Sequence, residues 1–443
     1  MRGAHNVGGV AGYFGNSSDD KDAPDYTITK GINDGGDIMA TGARNADNFV
    51  TEKIRPEDKG NEETIIGNMG GVVGYLDGDN VHVTSSGNRG TVHSLDITGD
   101  TISEASQASN TGGVVGKIDR SDTLTLANLQ GKDNDGNDKI LNAAVSNSYN
   151  TGDVRGYMGV GGVVGMMYNG EVAGSYNLGA VNTTRRAQDI ANAKYPSVNM
   201  GGVVGDTTEE TTAEALIYDV YNKGQIGDET YQFYARHVGG VVGRLSGTVE
   251  KAYNTGAIYN GYNVVGGIAG WFYKGTINNS FNTGNITVVN NDITDGGSQV
   301  GGIAGGVGLY SGSMDSTISN SYNLGTLRSF TSENGKPNYI GGIIGRITSD
   351  GSNKLTIKNV YTTGNLYAQV GDKSSVEGLS SIYGNSQGVA ADRITVENAY
   401  YIRPDENLVD ANKNKIFTDL STAGKDNSNK AIAFDYKSDI TQY

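Results

Sequence analysis

The stretch Gly239-Gly240-Val241-Val242-Gly243-Arg244-Leu245 decides the fold, because the same string returns along most of this 443-residue chain. Copies begin at Gly8, Gly70, Gly112, Gly161, Gly201, Gly239, Gly266, Gly301 and Gly341. In the quoted copy, Val241 and Leu245 share one parity while Arg244 has the other. Apolar residues on one parity and polar residues on the other are typical of a β-strand with one buried face and one solvent face.

A second string alternates with the first and reads aromatic-Asn-x-Gly, followed by an apolar residue. Copies begin at Tyr149, Tyr176, Tyr221, Tyr253, Phe281 and Tyr322, with a variant at Tyr361 that has Thr in place of Asn. Glycine adopts positive φ without strain and Asn tolerates it, so Asn-x-Gly predicts a turn. Each unit therefore offers two to three short strands separated by turns.

The spacing of the two strings shows where the chain accepts insertions. Between complete copies, Gly-Gly precedes the next aromatic by at least 14 residues, and the aromatic precedes the next Gly-Gly by at least 12. Longer intervals add residues at these two positions only. A minimum unit of about 26 residues with variable corners is typical of a coil with fixed strands.

A unit of this size cannot bury its apolar strand faces alone, but stacked copies can. We therefore predict an all-β fold for residues 1–403, a parallel β-helix (β-solenoid) of about nine to ten coils with inserted loops. At strand spacing this gives a rod about 45 Å long. A β-sandwich of Gly-rich hairpins is the alternative, but two fixed insertion positions disfavour it. Residues 404–443 lack the Gly-Gly string, and we expect Asp405–Tyr443 to cap the rod or lead to a following domain. A short helix is expected only in 184–195.

The interior is predicted to contain a polar ladder. Four asparagines lie two residues before an aromatic, on the parity assigned inward: Asn279, Asn320, Asn359 and Asn398. In consecutive coils their amides would bond to one another, as in cross-β assemblies. The following aromatics would stack in parallel inside the rod, with room left by the facing Gly243, Gly270, Gly305 and Gly345. A placement of these asparagines in solvent at a turn is the alternative.

Composition excludes several classes of function. The net charge of −15 disfavours nucleic-acid binding, and the absence of Cys excludes disulfides and thiolate metal sites. No stretch of apolar residues is long enough to predict a transmembrane helix. The first residues carry no apolar signal-peptide core, so we expect a piece of a longer protein.

The sequence predicts no catalytic, cofactor-binding or metal residue. None of the four His belongs to a His-Glu-x-x-His motif. The run from Asp133 to Asp138 resembles the start of a calcium loop, but the later bidentate Glu is missing. The run Asp77-Gly78-Asp79-Asn80 is weaker still. We interpret both runs as solvated turns, with calcium binding at Asp133–Asp138 left open.

The two strings together resemble the GLUG motif, most closely over Gly161–Val181 and Gly266–Ile286, and the resemblance extends from Gly8 to about Tyr401. Here Val-Val often replaces Leu-Val, and acidic insertions are long. GLUG repeats occur in large bacterial exoproteins similar to filamentous haemagglutinin and in N-terminal regions of some IgA-cleaving metallopeptidases.

The resemblance implies a non-enzymatic, secreted or cell-surface bacterial adhesin segment that acts as a stalk. Its partner would be a protein or glycan on a host or neighbouring cell, with no nucleic acid and no membrane insertion. The alternatives are the non-catalytic region of an IgA-cleaving peptidase or a carbohydrate-active β-helix enzyme. The insertions expected to contact a partner are Asp119–Asn142, Asn182–Asn199, Gly227–Arg236 and Ser329–Asn338.

Overall fold

The structure is a computed structural model that describes residues 2–3, 6–15, 24–40, 65–94, 108–132, 138–140, 142–183, 198–207, 214–230, 235–290, 297–310, 314–331, 338–370, 373–374, 378–386, 388–403 and 431–435. Nearly all of the regular structure in these residues is β-strand, arranged in three long faces. We name them the Gly-Gly face, the long face and the third face.

The Gly-Gly face has one strand from each coil, and each strand ends at or near the first glycine of the string. Its ten strands are Val7–Gly8, Ile65–Gly70, Ala108–Gly112, Gly159–Gly161, Asn199–Gly201, His237–Gly239, Val264–Gly266, Gln299–Gly301, Tyr339–Gly341 and Leu379–Ser380. They pair in parallel, with the motif glycines in register from Gly161 through Gly201 and Gly239 to Gly266. The strands are in register because the Gly-Gly string occupies the same position in each of these coils.

The long face is a sheet of 24 strands that contains the second half of the first string and the aromatic and Asn residues of the second string. Its strands are Ala11–Gly15, Tyr26–Thr29, Ile32–Asn33, Val73–Asp77, Val81–Thr84, Gly87–Asn88, Val115–Asp119, Val145–Ser146, Tyr149–Asn150, Val164–Tyr168, Gly170–Ala173, Tyr176–Asn177, Val204–Asp206, Ala215–Asn222, Val242–Asn254, Ala269–Asn278, Phe281–Asn282, Ala304–Leu309, Ser316–Asn323, Ile344–Ser349, Leu355–Thr362, Tyr383–Asn385, Ile394–Arg403 and Ala431–Asp435.

The third face is formed by the strands that follow the Asn-x-Gly turn. Five strands form one part: Arg2–Gly3, Ile38–Ala40, Val92–Ser94, Val154–Gly156 and Val181–Thr183. Five more form the other: Ile258–Asn260, Ile286–Asn290, Leu327–Thr331, Leu366–Val370 and Lys373–Ser374. Ile226 bridges the two parts through isolated pairings with Val181 and Ile258. Between the described coils, pairing is parallel on all three faces, where only the short strand Lys373–Ser374 pairs antiparallel, with Leu366–Val370 of its own coil. The predicted β-helix is therefore confirmed, and the ten strands of the Gly-Gly face match the predicted number of coils.

Two apolar columns fill the rod. One lies behind the long face and contains the branched residues of the string: Val72, Val114, Val163, Val203, Val241, Ile268, Ile303 and Ile343. The other lies between the third face and the Gly-Gly face and includes Val160, Met200, Val238, Val265, Val300 and Ile340.

The alternation of side chains predicted that Arg244 is exposed to solvent, and this prediction is wrong. Arg244 is 1% exposed, and its Nε donates to Asp206 Oδ1 at 2.8 Å. Its neighbours in the adjacent coils, Asp206 and Trp271, flank it.

A ladder of buried asparagines is present, but it contains different residues from those predicted. It is built from the Asn of the aromatic-Asn string and runs Asn33, Asn88, Asn150, Asn177, Asn222, Asn254, Asn282 and Asn323. From Asn33 to Asn282, each Nδ2 donates to the Oδ1 of the next coil at 2.6–2.8 Å, and Asn323 Nδ2 lies 3.5 Å from Thr362 Oγ1. The same Nδ2 also donates to the carbonyl of the turn glycine, which lies three residues later at Asn33 and two residues later in the other coils. Both amide hydrogens are therefore satisfied inside the rod, as buried polar groups require.

The inward placement predicted for Asn279, Asn320, Asn359 and Asn398 is wrong, because these residues are exposed. Each has a φ of about +50°, a left-handed conformation that Asn tolerates better than most residues. Because of this one left-handed residue, two consecutive side chains, such as those of Asn278 and Asn279, lie on the outer side of the sheet. The next side chain, Ser280, then points inward, and from there the inward and outward positions are exchanged. The exposed asparagines still bond across coils, with Asn359 Nδ2 donating to Asn320 Oδ1 at 2.8 Å.

The aromatics stack as predicted, but on the outer surface. Consecutive rings from Tyr176 to Tyr361 are nearly parallel, with centroids 4.6–4.9 Å apart. They are half-buried or exposed, because the reversed alternation turns them outward while the following Asn turns inward. Gly243 and its equivalents do not face them: a Cβ on Gly243 would instead meet the backbone oxygen of Gly205 at 2.4 Å.

The second glycine of each Gly-Gly pair leaves the space that the side chains of the asparagine ladder occupy. A Cβ added to Gly202 would lie 2.4 Å from Asn222 Cγ and 2.2 Å from the Gly240 carbonyl oxygen. A Cβ on Gly240 would meet Asn254 in the same way. The two strings are thus one packing unit, since the glycine of one makes room for the amide of the other.

Helices are few in the described part of the chain. Leu126–Leu129 is an α-helix and Ala391–Arg393 a 3₁₀ turn. No helix there is long and apolar enough to cross a membrane. Ala431–Asp435 pairs in parallel with the end of Ile394–Arg403. The rest of 404–443, and the helix expected in 184–195, lie outside the described residues, so the predicted cap or linker stays a prediction.

Candidate binding site

The predicted contact insertion 119–142 leaves the long face after Val115–Asp119 and returns before Val145–Ser146. Its helix Leu126–Leu129 begins at Thr125, whose Oγ1 accepts a hydrogen bond from Asn128 N at 3.3 Å. A hairpin of Gln130–Lys132 and Asp138–Ile140 follows. The Thr N-cap satisfies an N–H group that a four-residue helix would otherwise leave unpaired.

The described part of this insertion is anchored to the rod rather than free in solvent. Leu129 is fully buried against Ala173, Leu216 and Tyr218 on the outer surface of the long face, with Leu124, Leu126 and Ile140 packed beside them. Gln130 Nε2 also donates to Tyr218 Oη at 2.8 Å. This side cluster fixes the start of the insertion above the neighbouring coils.

A buried ion pair lies where the insertion begins. Arg120 Nη1 donates to Glu171 Oε2 at 2.8 Å, and Arg120 Nη2 donates to the Val81 carbonyl at 2.8 Å. Glu171 also accepts from the backbone N–H groups of Leu124, at 2.5 Å, and Ala144, at 3.2 Å. Burial raises the pKa of the Glu171 carboxyl, which Arg120 and these two donors oppose, and burial lowers the pKa of Arg120. The pair joins three coils through groups that are nearly inaccessible to water.

A pocket of about 230 Å³ opens above this pair. It is lined by Asp25, Asp79, Asn80, His82, Arg120, Asp122, Thr123, Leu124 and Asn142. Asp25 and Asp122 are exposed, and Asp79 is partly buried and accepts hydrogen bonds from the backbone N–H and the hydroxyl of Ser121. Three carboxylates from three coils thus surround one opening.

His82 is the least exposed titratable side chain of the pocket apart from Arg120, at 7% exposure. Its Nδ1 lies 3.0 Å from the Ala143 carbonyl oxygen, while its Nε2 is buried without a hydrogen bond, 3.7 Å from Asp25 Oδ1. Burial lowers the pKa of His82, and the nearby Arg120 lowers it further. The ring is therefore held in its neutral form near pH 7.

The run Asp77-Gly78-Asp79-Asn80, considered for calcium, contributes two residues to this pocket. The second calcium candidate, Asp133–Asp138, lies outside the described residues except for Asp138. In the parts that the structure describes, no three His, Asp or Glu side chains form a group that could hold a metal ion. The other three predicted insertions are described only at their ends, because residues 184–197, 231–234 and 332–337 lie outside the described residues.

A second surface feature is an aromatic patch on the long face, formed by Trp271, Tyr273 and Tyr310. The Trp271 ring lies over Gly306, since a Cβ there would be 2.4 Å from Trp271 Cζ3. Trp271 and Tyr310 have centroids 6.4 Å apart and planes at 23°, and Tyr273 lies 5.1 Å from Tyr310. All three rings are half-buried, so part of each is open to a ligand.

Comparison with known proteins places the chain in no family. No family model matches it, and no curated protein matches it. One similar solved structure is described as a "putative immunoglobulin A1 protease" from Bacteroides ovatus. It is 17% identical with a TM-score of 0.35, and the match covers 74% of this chain and 79% of that chain. A similarity of this strength carries no conclusion about the function of this chain.

Proposed function

We propose that this chain is a non-enzymatic segment of a bacterial surface or secreted protein, a rigid stalk that holds contact surfaces at fixed positions. The observation that carries the proposal is the parallel pairing of each described coil with the next. Backbone ladders join the coils, and two sets of side-chain contacts add to them over most of the length: the asparagine ladder from Asn33 to Asn323 and the ring stack from Tyr149 to Tyr361. Three parallel sets of contacts along a rod of about 45 Å resist bending at any single coil.

The chemistry of the buried charges supports a structural role for them. Glu171 is fully buried, and both of its carboxylate oxygens accept hydrogen bonds from Arg120 or backbone N–H groups. A carboxylate bonded in this way is a poor general acid or base, because its lone pairs are occupied by the protein itself. The pair joins coils and holds the start of the insertion.

A glycan on a host or neighbouring cell is the partner that the aromatic patch favours. Partly open Trp and Tyr side chains combine a broad apolar ring with a polar edge, as a sugar ring with its hydroxyl groups requires. The Trp271 ring packs against Gly306, with Gln299 Oε1 close to the same position, so its placement on the long face is fixed by neighbouring coils. The rod would hold this patch at a fixed distance from whatever anchors it.

The test is binding of the fluorescently labelled 443-residue chain to an immobilised glycan array and to host epithelial cells. We expect retention on a subset of glycans, lost in Trp271→Ala and kept in Tyr361→Ala, which removes an exposed ring elsewhere on the long face. Parallel incubation with IgA, pectin and glycosaminoglycans should release no fragments. Cleavage of any of these polymers would refute the non-enzymatic proposal, and glycan binding unchanged in Trp271→Ala would refute the role of the patch.

A further inference from the structure

The pocket beneath the 120–142 insertion carries excess negative charge. Asp25, Asp79 and Asp122 contribute three carboxylates, while Arg120 is the one cationic group among the lining residues that the structure describes. Arg120 is already neutralised by its ion pair with Glu171 at 2.8 Å. A positive ligand would therefore be attracted to this opening.

A second feature, independent of the carboxylates, shows what kind of cation fits. A carbonyl oxygen only accepts hydrogen bonds, so the 3.0 Å contact with Ala143 places the proton of neutral His82 on Nδ1. Arg120 Nη2, 3.1 Å from the same nitrogen, has the Val81 carbonyl as its acceptor at 2.8 Å. His82 Nε2 then presents a lone pair to the pocket, buried and without a hydrogen bond.

His82 Nε2 and Asp25 Oδ1 are two acceptors that face each other at 3.7 Å with no proton between them. A group that donates several hydrogen bonds and carries positive charge would satisfy both, provided that the exposed Asp25 side chain shifts to admit it. An ammonium group has three donors and no acceptor. A dedicated metal site is disfavoured, since no three of the described carboxylate and imidazole groups form a metal-holding group.

We propose that this pocket binds an aliphatic primary ammonium group, presented by a lysine side chain of a partner protein or by a free polyamine. The volume of about 230 Å³ is below the roughly 300–1,000 Å³ of pockets for larger small molecules, which suits one extended amine. Leu124 supplies an apolar contact for the methylene chain, as buried stems of lysine require. The site does not depend on the stalk function, because binding is a property of these side chains alone.

The experiment uses the full chain labelled with ¹⁵N-histidine, which gives signals from only four His residues. The His82 signal is identified by its loss in His82→Gln. Nα-acetyl-lysine amide and putrescine are titrated separately, with Nα,Nε-diacetyl-lysine amide as the uncharged counterpart and calcium chloride as the metal arm. We expect both amines to shift the Nε2 signal of His82 while the other histidines stay unchanged. Tighter binding of the lysine derivative would identify a protein partner, and tighter binding of putrescine a free polyamine.

Asp25→Asn tests the geometry, since it keeps the shape of the side chain and removes its charge. It should weaken amine binding about threefold to fivefold, as expected for one exposed charge pair. Asp392→Asn, in the 3₁₀ turn of a distant coil, should leave the affinity unchanged. The proposal is overturned by a proton on Nε2 in the free protein, by absence of a shift, by equal shifts with the diacetylated compound, or by calcium acting like the amines. Equal weakening in Asp392→Asn would also overturn it, because it would show unspecific attraction to an acidic chain.

Discussion

Replacing Asn222 by Ala, in the middle of the buried asparagine ladder, should strongly lower the local stability of the coils on either side of it. Asn222 takes part in three hydrogen bonds of 2.8 Å: from Asn177 Nδ2, to the Gly224 carbonyl and to Asn254 Oδ1. The residue is 0% exposed, so water cannot replace the lost partners. The substitution takes one hydrogen bond from each of three buried groups: Asn254 Oδ1, the Gly224 carbonyl and Asn177 Nδ2, which keeps its second bond to the Gly179 carbonyl.

The cost follows from these three groups. An unsatisfied buried donor or acceptor costs about 1–3 kcal/mol, so the ladder break should cost about 3–5 kcal/mol after partial relaxation. In a solenoid the loss falls mainly on the coils that share the broken contact. At about 1.4 kcal/mol per factor of ten, amide exchange should accelerate by roughly two to three and a half orders of magnitude there.

Hydrogen exchange with mass spectrometry measures this effect in Ala215–Asn222, the strand that carries the substitution, and in Val242–Asn254, the next strand of the ladder. Asn320→Gly is the matched control, since it removes an exposed Asn and keeps the left-handed φ of 49° accessible. The control should change exchange in its own coil by less than about tenfold. Exchange in Asn222→Ala within threefold of the unmodified chain would refute the reasoning that the ladder stabilises the rod.

Three further predictions follow from particular contacts. Gly202→Ala should lower the free energy of unfolding by more than about 2 kcal/mol in urea titrations, because its Cβ would overlap the ladder and a backbone oxygen; an unchanged midpoint would contradict this. Arg120→Met should cost about 3–5 kcal/mol by leaving a buried carboxylate unpaired, and adding Glu171→Leu should restore most of the loss; a double variant as unstable as the single one would contradict the ion-pair explanation. The pKa of His82 is lowered from 6.5, so the unfolded chain binds more protons near that pH. The neutral, buried His82 ring therefore contributes to the free energy of unfolding above about pH 6.5, and this contribution is lost as the pH falls below that value. His82→Gln should reduce the slope of the unfolding midpoint against pH between about pH 5 and 7. An unchanged slope would exclude His82 as the source of the pH dependence.

The candidate site was predictable from the sequence only in part. Arg120, Glu171 and His82 belong to different coils: Arg120 lies 38 residues after His82 and 51 residues before Glu171. Neither string contains these residues, and the insertions between coils have irregular lengths, so no periodicity brings them together. The sequence did single out two parts of the pocket: Arg120, Asp122 and Asn142 lie in the predicted contact insertion, and Asp79 lies in a run noted for its acidic residues. The proximity of Asp79 to the 120–142 insertion depends on the register between two neighbouring coils.

The sequence by itself determined the solenoid, since two repeated strings with two insertion positions require stacked, equivalent strands. It also determined that asparagines and aromatics would repeat once per coil, and so would stack. Which asparagine is buried was decided by tertiary structure. One left-handed residue, such as Asn279, reverses the alternation of side chains, and a two-residue period read through it assigns every later residue to the wrong face. The second glycine of each Gly-Gly pair then fits the buried amide across the rod, a contact between separate strands that local pattern cannot show.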